Sequence, residues 1–326
     1  MKKLFHLSTV PRQLEWFENN WSDIEAFILK NNMDGIELGL TVDYDISQIP
    51  AHIVEGVHLS FYPMWLDFWK GDLEKVKAVL GNQEAVEQYY GGYDKQVIID
   101  SYKLQYQRAK ALGAKYMVFH ISHVLIEDSF TFKYQYSDEE VVQASIELIN
   151  EVFEEEADGP LLLLENLWWP GLTYLRADLV EQLMTAINYP NKGCLLDVSH
   201  LILTNPKIAT EHQAFEYIKK VIEGLGETQK YIKGVHLNKT LPKYYMQRDH
   251  LYTLQKYQSA RDKHIKNRIL KTHIQQMDGH QPFDHEVVQD IIALINPEFC
   301  VYETAPQSKH ELSYFIKKQN IALGFI

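Results

Sequence analysis

This 326-residue sequence is predicted to form a single (β/α)8 barrel, an α/β fold of eight parallel strands alternating with helices. Short apolar runs alternate with longer helix-like stretches along the whole chain, and the runs number eight. No segment rich in proline, glycine or serine divides them. Residues 1–326 are therefore interpreted as one domain, with insertions at about 61–94 and 239–284.

Each predicted strand is a run of four to six residues rich in side chains that favour extended backbone. The strands are predicted at residues 3–7, 35–38, 56–59, 116–120, 161–164, 193–196, 232–237 and 299–302. The stretches between them have helical periodicity and are longer. Helices are predicted at residues 13–31, 95–112, 137–155, 176–187, 211–222 and 285–295.

The two insertions follow the third and the seventh predicted strand, and both intervals are too long for a plain βα connection. Barrel enzymes build their active sites at the carboxyl ends of the strands. We therefore expect both insertions to form lids or substrate walls. Aromatic residues such as Tyr62 crowd the first insertion, where they either pack an inserted helix or stack on a substrate.

Charge is distributed unevenly along the chain. The formal net charge is -12, but residues 230–273 contain eleven Lys and Arg against two acids, which leaves +9 there and -21 elsewhere. The acidic body disfavours nucleic acid as a partner. The basic segment is either a solvated helical face or a lid that attracts an anionic substrate.

Neither a membrane segment nor a disulfide framework is predicted. The N-terminal residues lack the continuous apolar stretch of a signal peptide, and no run of about 18 apolar residues occurs, so we expect a cytoplasmic protein with no membrane partner. Cys194 and Cys300 both lie in apolar, strand-like runs, which indicates buried thiols.

Ionisable residues terminate six consecutive predicted strands. They are His58, His120, Glu165, Asp197 with His200, His236, and Glu303. Any one of them alone is typical of a satisfied core residue, but in a barrel all of them would converge on one mouth. Such groups are costly to bury unless they are paired or bind a cation, and imidazoles with carboxylates suit zinc, manganese or iron. The set therefore predicts a metal site, to which the Asp278-Gly279-His280 turn of the second insertion is a weaker candidate addition.

This strand-end set resembles the xylose isomerase-like barrels, which include sugar isomerases and epimerases and the endonuclease IV type of AP endonuclease. The endonuclease IV type implies a multinuclear phosphoester hydrolase with three zinc ions held by nine side chains. One ion would be held by His58, His120 and Glu165, a second by the bridging Glu165 with Asp197, His236 and Glu303, and a third by His200, Asp278 and His280. All nine positions hold the expected residue type.

The isomerase and epimerase branch implies one Mn, Mg or Co held by Glu165, Asp197, His236 and Glu303. Glu165 and Glu303 would then face each other and move a proton between substrate carbons. This branch gives no reason for histidines at positions 58, 120 and 280, so the hydrolase is the preferred hypothesis. A barrel that binds a metal or an anionic ligand without turning it over is the third.

The chain departs from the endonuclease pattern in two respects. Lys239-Thr240 follows the seventh-strand His-Leu-Asn, and the two insertions are foreign to a compact repair enzyme. Together with the acidic body, these departures disfavour duplex DNA as substrate. We expect a small anionic substrate, phosphorylated or sugar-like.

Other residues near the predicted mouth are candidates for substrate binding or for support of the ligands. They are Glu37, Tyr62, His123, Asn166, Trp168, Trp169, Asn238 and Lys239. The two asparagines closely follow ligands and are natural hydrogen-bond donors to them. Lys239 or the basic segment would hold a distal phosphate, and the two tryptophans either wall the pocket or pack the barrel rim.

Overall fold

The protein forms a closed barrel of eight parallel strands in a computed structural model that describes residues 1–154, 156 and 158–325. The strands are β1 (Lys2–Ser8), β2 (Gly35–Gly39), β3 (Val54–His58), β4 (Tyr116–His120), β5 (Leu161–Glu165), β6 (Lys192–Asp197), β7 (Ile232–His236) and β8 (Phe299–Tyr302). Each strand pairs with its neighbour in sequence, and β1 closes the barrel on β8 with Leu4 opposite Val301. The predicted fold and all eight strands are confirmed.

Sixteen α-helices connect or flank the strands in the described residues. They are α1 (Pro11–Leu14), α2 (Trp21–Lys30), α3 (Leu66–Trp69), α4 (Leu73–Leu80), α5 (Gln83–Tyr90), α6 (Gln96–Ala111), α7 (Ile126–Thr131), α8 (Asp138–Val152), α9 (Ala177–Ala186), α10 (Val198–Leu203), α11 (Glu211–Gly224), α12 (Lys243–Met246), α13 (Leu251–Ser259), α14 (Lys263–Met277), α15 (Val288–Ile295) and α16 (Lys309–Ala322). Helix α8 begins with a capping box at Ser137, and Glu155 of the predicted helix 137–155 lies outside the described residues.

The helix predicted at residues 13–31 is wrong as a continuous element. Glu18 and Asn19 have positive φ angles, which an α-helix does not allow, so the helix is interrupted there. The Asn20 side chain then accepts a hydrogen bond from the Ser22 amide and caps α2. An Asn-Asn pair inside an apolar pattern is a helix-breaking signal of this kind.

The hydrophobic core has an inner and an outer layer. Inside the barrel, six buried side chains from alternate strand positions fill the interior: Leu4, Tyr116, Val118, Leu163, Leu195 and Val301. The larger layer lies between the strands and the surrounding helices. Cys194 and Cys300 are buried and free, as predicted. Among the described helices, none is long and apolar enough to cross a bilayer.

The two predicted insertions are helical and lie at the carboxyl ends of the strands. The first contains α3, α4 and α5, and the second contains α12, α13 and α14. A separate apolar cluster packs the second insertion onto the barrel rim, where Met277 and Ile274 of α14 join Trp168, Trp169 and Val124. The second insertion thus covers one side of the barrel mouth.

Candidate metal centre

The nine side chains predicted as ligands all lie at the carboxyl-terminal mouth of the barrel. Five of them are the last residues of their strands: His58, His120, Glu165, Asp197 and His236. Glu303 follows β8 directly, and His200 lies in the first turn of α10. Asp278 and His280 come from the end of the second insertion, immediately after α14. The structure therefore brings together residues from seven different loops or strand ends.

The first group consists of His58, His120 and Glu165, whose ligand atoms all lie within 4.8 Å of one another. Oε2 of Glu165 is 3.3 Å from Nε2 of His58 and 3.1 Å from Nε2 of His120. The Glu165 side chain is fully buried, whereas the two imidazoles keep about a tenth of their surface exposed. Two imidazole nitrogens and one carboxylate oxygen thus point at a common centre.

The second group consists of Glu165, Asp197, His236 and Glu303, also with ligand atoms within 4.8 Å of one another. Nδ1 of His236 lies 3.2 Å from Oε1 of Glu165 and 3.1 Å from Oε2 of Glu303. Glu165 therefore turns Oε2 to the first group and Oε1 to the second. One carboxylate is shared by two adjoining groups, which is the arrangement that a bridging ligand requires.

The third group joins His200 to the turn at the end of the second insertion. Oδ2 of Asp278 is 3.3 Å from Nε2 of His200 and 2.7 Å from Nε2 of His280. Both histidines also lie within 4.8 Å of Asp197, measured between ligand atoms. The Ser199 hydroxyl donates to the other oxygen of Asp278, at 3.1 Å, and orients that carboxylate.

Backbone carbonyls set the orientation of three of these histidines. Nδ1 of His58 is 3.0 Å from the carbonyl oxygen of Leu59, Nδ1 of His200 is 2.8 Å from that of Asn166, and Nδ1 of His280 is 2.8 Å from that of Glu303. A carbonyl oxygen can only accept, so Nδ1 carries the proton in each neutral ring. Nε2 of the neutral ring then has a lone pair that faces the carboxylates, as a metal ligand needs.

His236 has the opposite orientation, and Glu37 explains it. Nε2 of His236 lies 3.1 Å from Oε2 of Glu37, so Nδ1 faces the second group. Glu37 is completely buried and also accepts from the Tyr116 hydroxyl at 3.0 Å. Burial alone would raise the pKa of Glu37, but the facing His236 and the contact with His6 lower it to about 2. Glu37, predicted as a supporting residue, is placed as a buried anion behind a candidate ligand.

The electrostatics of the centre call for cations. Burial raises the pKa of Asp197 to about 7. Burial alone would lower the pKa values of His58 and His200, but the facing carboxylates outweigh it and raise both to about 9. Buried ligand atoms of His58, Glu165 and Glu303 have no hydrogen-bond partner among the described residues. Clustered imidazoles and carboxylates with unpartnered atoms fit divalent metal ions, which would neutralise the carboxylates and take up the free lone pairs.

Two asparagines, Asn166 and Asn238, hydrogen-bond to Asp197. The Asn166 side chain accepts from the Asp197 amide at 2.8 Å and donates to the Asp197 carbonyl at 3.2 Å. Nδ2 of Asn238 donates to Oδ2 of Asp197 at 2.8 Å. These bonds tie the ends of β5, β6 and β7 together and leave Oδ1 of Asp197 on the side of His200.

The remaining predicted residues surround the centre without joining it. Trp168 packs on His200, with ring centroids 5.2 Å apart, and on Trp169. Tyr62 packs among tyrosines, and its hydroxyl lies 3.3 Å from that of Ser101. His123 accepts from the Leu66 amide at 3.3 Å. Tyr62 and His123 therefore support the first insertion.

Lys239 has a different role from the one predicted. Its ammonium group contacts the carboxylates of Glu211 and Asp284, at 2.5 Å from the latter, so two anions already neutralise it. The prediction of a phosphate-holding Lys239 requires correction, because the residue joins α11 to the end of the second insertion.

Sequence reasoning also missed Tyr116 and Ser199. Tyr116 shares the inward face of β4 with Val118 and His120. Because side chains alternate along a strand, the spacing of Tyr116 from His120 could have placed it inside the barrel.

The closed (β/α)8 barrel thus has, at its carboxyl-terminal mouth, adjoining histidine and carboxylate groups that could hold divalent metal ions. Residues 92–296 match the family described as xylose isomerase-like TIM barrel. The match covers more than half of the chain, and the protein belongs to this family. A comparison with curated proteins finds no match.

Solved structures of similar fold come mostly from enzymes. The chain is similar to endonuclease IV from Thermus thermophilus, with 13% identity, a TM-score of 0.55 and 100% of both chains covered. It is similar to the IOLI protein with a binding zinc atom, with 14% identity, a TM-score of 0.53, and 99% and 96% of the two chains covered. It is also similar to the probable 3-DHS dehydratase AsbF from Bacillus anthracis, with 14% identity, a TM-score of 0.51 and 99% of each chain covered. At such identities the likeness shows the shared fold.

Proposed function

We propose that this protein is a divalent-metal-dependent phosphoester hydrolase with a multinuclear, zinc-type centre that acts on a small anionic substrate. The observation that carries the proposal is the position of the Glu165 carboxylate, whose two oxygens face two different ligand groups. The turn of Asp278 and His280 completes a third group with His200. Up to three ions would be held, one by each group.

The additional histidines favour this hydrolase over a mononuclear enzyme. A single ion in the second group would use Glu165, Asp197, His236 and Glu303. It would leave His58 and His120 of the first group without a metal to bind. It would do the same for Asp278 and His280 in the turn of the third group. Buried ionisable groups are costly, so five additional ones aimed at two further centres favour a multinuclear site. Nitrogen-rich groups also favour zinc over magnesium.

Bound ions would supply Lewis acidity that activates water and stabilises the leaving oxygen of a phosphoester. The protein supplies the geometry. Glu165 is fully buried and holds the two adjoining groups together, whereas Glu303 keeps 15% of its side chain exposed and is the carboxylate that a substrate can reach. Burial alone would raise the pKa of Glu303, but the facing His236 lowers it well below its usual range, so Glu303 is ionised.

The substrate is proposed to be small because the charge of the chain does not suit a duplex. The excess of Lys and Arg is confined to residues 230–273, and the rest of the chain carries -21. A surface that holds duplex DNA has to neutralise several phosphates along its length. The similar fold of an endonuclease IV supports phosphoester chemistry at this kind of centre. The negative charge of the rest of the chain supports a substrate that is small and not a long polyanion.

A second candidate function is a mononuclear Mn- or Mg-dependent sugar isomerase or epimerase. The second group favours it, because Glu165 and Glu303 both lie close to His236 Nδ1 and could move a proton between neighbouring carbons of a substrate.

Metal content separates the two functions. Plasma mass spectrometry of protein purified without chelators should find two to three zinc-type ions per chain, and bis(4-nitrophenyl) phosphate should be hydrolysed. His58→Ala and His280→Ala should each lower turnover at least ~100-fold, whereas His52→Ala, at an exposed histidine paired with Glu25, should not change it. One exchangeable manganese or magnesium ion with turnover of sugars would refute the hydrolase. Nicking of an abasic-site duplex at low enzyme would refute the small substrate.

A further inference from the structure

A cavity of about 710 Å³ lies between the two insertions, apart from the three ligand groups. Residues of α4 and α5 line it from the first insertion, and residues of α14 line it from the second. The loop that leads from β4 into α7 and Trp169 complete the lining. This volume falls in the range of about 300–1,000 Å³ that is typical of small-molecule sites.

The walls of the cavity are mainly apolar. Met64, Leu80, Leu125 and Leu270 line it from four different elements. Val79 of α4 also lines it and keeps 39% of its surface exposed. Apolar side chains that converge on an open cavity are stabilised when a ligand removes them from water. The body of a fitting ligand is therefore apolar.

The charged groups of the cavity are three cations and one carboxylate. Arg261, Lys263 and Lys266 come from the start of α14 and the residues before it, and Glu84 comes from α5. Lys263 donates to the side chain of Gln88 at 3.0 Å, and Lys266 lies over the ring of Tyr257. Within the described part of the chain, none of the three cations forms a salt bridge. An excess of unpaired positive charge beside apolar walls is complementary to an anion.

We propose that this cavity binds a small amphipathic anion, with an apolar chain or ring system against the leucines and one carboxylate or phosphate group between the cations. The proposal is independent of the metal centre and of the proposed hydrolase. It gives part of the basic segment a specific role, because Arg261, Lys263 and Lys266 of that segment line the cavity and would contact the anionic group. Neither insertion forms this cavity without the other.

Isothermal titration of the whole protein with decanoate tests the proposal, with decanol as the uncharged match. Decanoate should bind once per chain and at least ~10-fold more tightly than decanol. The double variant Arg261→Glu/Lys266→Glu should weaken decanoate binding at least ~10-fold. The double variant Arg268→Glu/Lys271→Glu changes the net charge equally, at exposed positions of α14 that do not line the cavity, and its decanoate affinity should stay within about 2-fold of that of the unchanged protein.

A cavity-filling variant tests the location. Ala85 lines the cavity from α5 and is half-buried, so Ala85→Trp should place an indole in the space and abolish decanoate binding while circular dichroism and metal content stay unchanged. Binding that persists in Ala85→Trp, equal weakening by the two charge-reversal variants, or equal affinity for decanol would each overturn the proposal. Each measurement is repeated on chelated protein, where unchanged binding separates this cavity from the metal centre.

Discussion

Glu37→Gln should weaken metal binding although Glu37 belongs to none of the proposed ligand sets. The substitution keeps the shape of the side chain and removes its charge. The amide oxygen of the new side chain can still accept from Nε2 of His236, which in the unchanged protein lies 3.1 Å from a carboxylate oxygen. The lost charge is what makes the imidazole a stronger donor to a metal at Nδ1 and fixes the ring toward Glu165 and Glu303.

The expected size follows from the geometry of this pair. His236 and Glu37 are both completely buried, so solvent does not screen their interaction. Carboxylates behind metal-bound histidines typically contribute about 10- to 100-fold in affinity, which is about 1.4–2.8 kcal/mol. Titration of chelated protein with zinc, against a competing chromophoric chelator, should show this loss for the most affected site.

Glu25→Gln is the matched control. Glu25 also pairs with a histidine, His52, at 2.9 Å, but His52 is exposed, Glu25 is only partly buried, and neither belongs to the ligand groups. The zinc affinities of this control should equal those of the unchanged protein. Unchanged zinc affinity in a folded Glu37→Gln variant would refute the reasoning, as would an equal loss in the control. Thermal unfolding of both chelated variants separates metal affinity from a general loss of stability.

Two further predictions concern stability. Acidification from pH 7 to pH 5 should lower the free energy of unfolding by about 2 kcal/mol through His273 alone, because burial lowers its pKa to about 4 while the unfolded residue titrates near 6.5. The stabilisation is present above pH 6.5 and is lost toward pH 4, and urea unfolding of His273→Gln at both pH values should show a smaller fall. Gly171→Ala should destabilise by about 3 kcal/mol, because Gly171 has a φ of +134° and a Cβ would lie 2.2 Å from the Ile121 carbonyl oxygen. Gly224→Ala, with no atom within 4 Å of its Cβ, should be near neutral in the same thermal assay.

The strands could be predicted closely because two independent signals coincide at their ends. An apolar run rich in strand-forming residues stops where an ionisable residue must reach the barrel mouth, as at His120 and Glu165. Burial on both faces of a parallel sheet makes these runs nearly continuous and short. The same coincidence indicated most of the candidate ligands, since they are defined by their position at the strand ends.

Positions that depend on loops and on side-chain direction could not be predicted in the same way. The spacing of Asp278 and His280 indicated a ligand pair, but only the packing of α14 on the rim brings that pair to His200. Lys239 was placed near the substrate by its sequence distance from His236, yet its long side chain turns to Glu211. Helix α16 was not predicted, since its apolar residues are interspersed with lysines and glutamine.

The origin of the ligands has a consequence for how such a centre can diversify. The first two groups are built from strand ends, so altering them disturbs the barrel itself. Two of the three residues of the third group belong to a segment inserted between β7 and β8. Replacement of that segment would exchange the third group as a module and leave the other two intact. The number of ions that the proposed centre could hold in descendants of this protein is therefore open to change by recombination of one loop, with little disturbance of the scaffold.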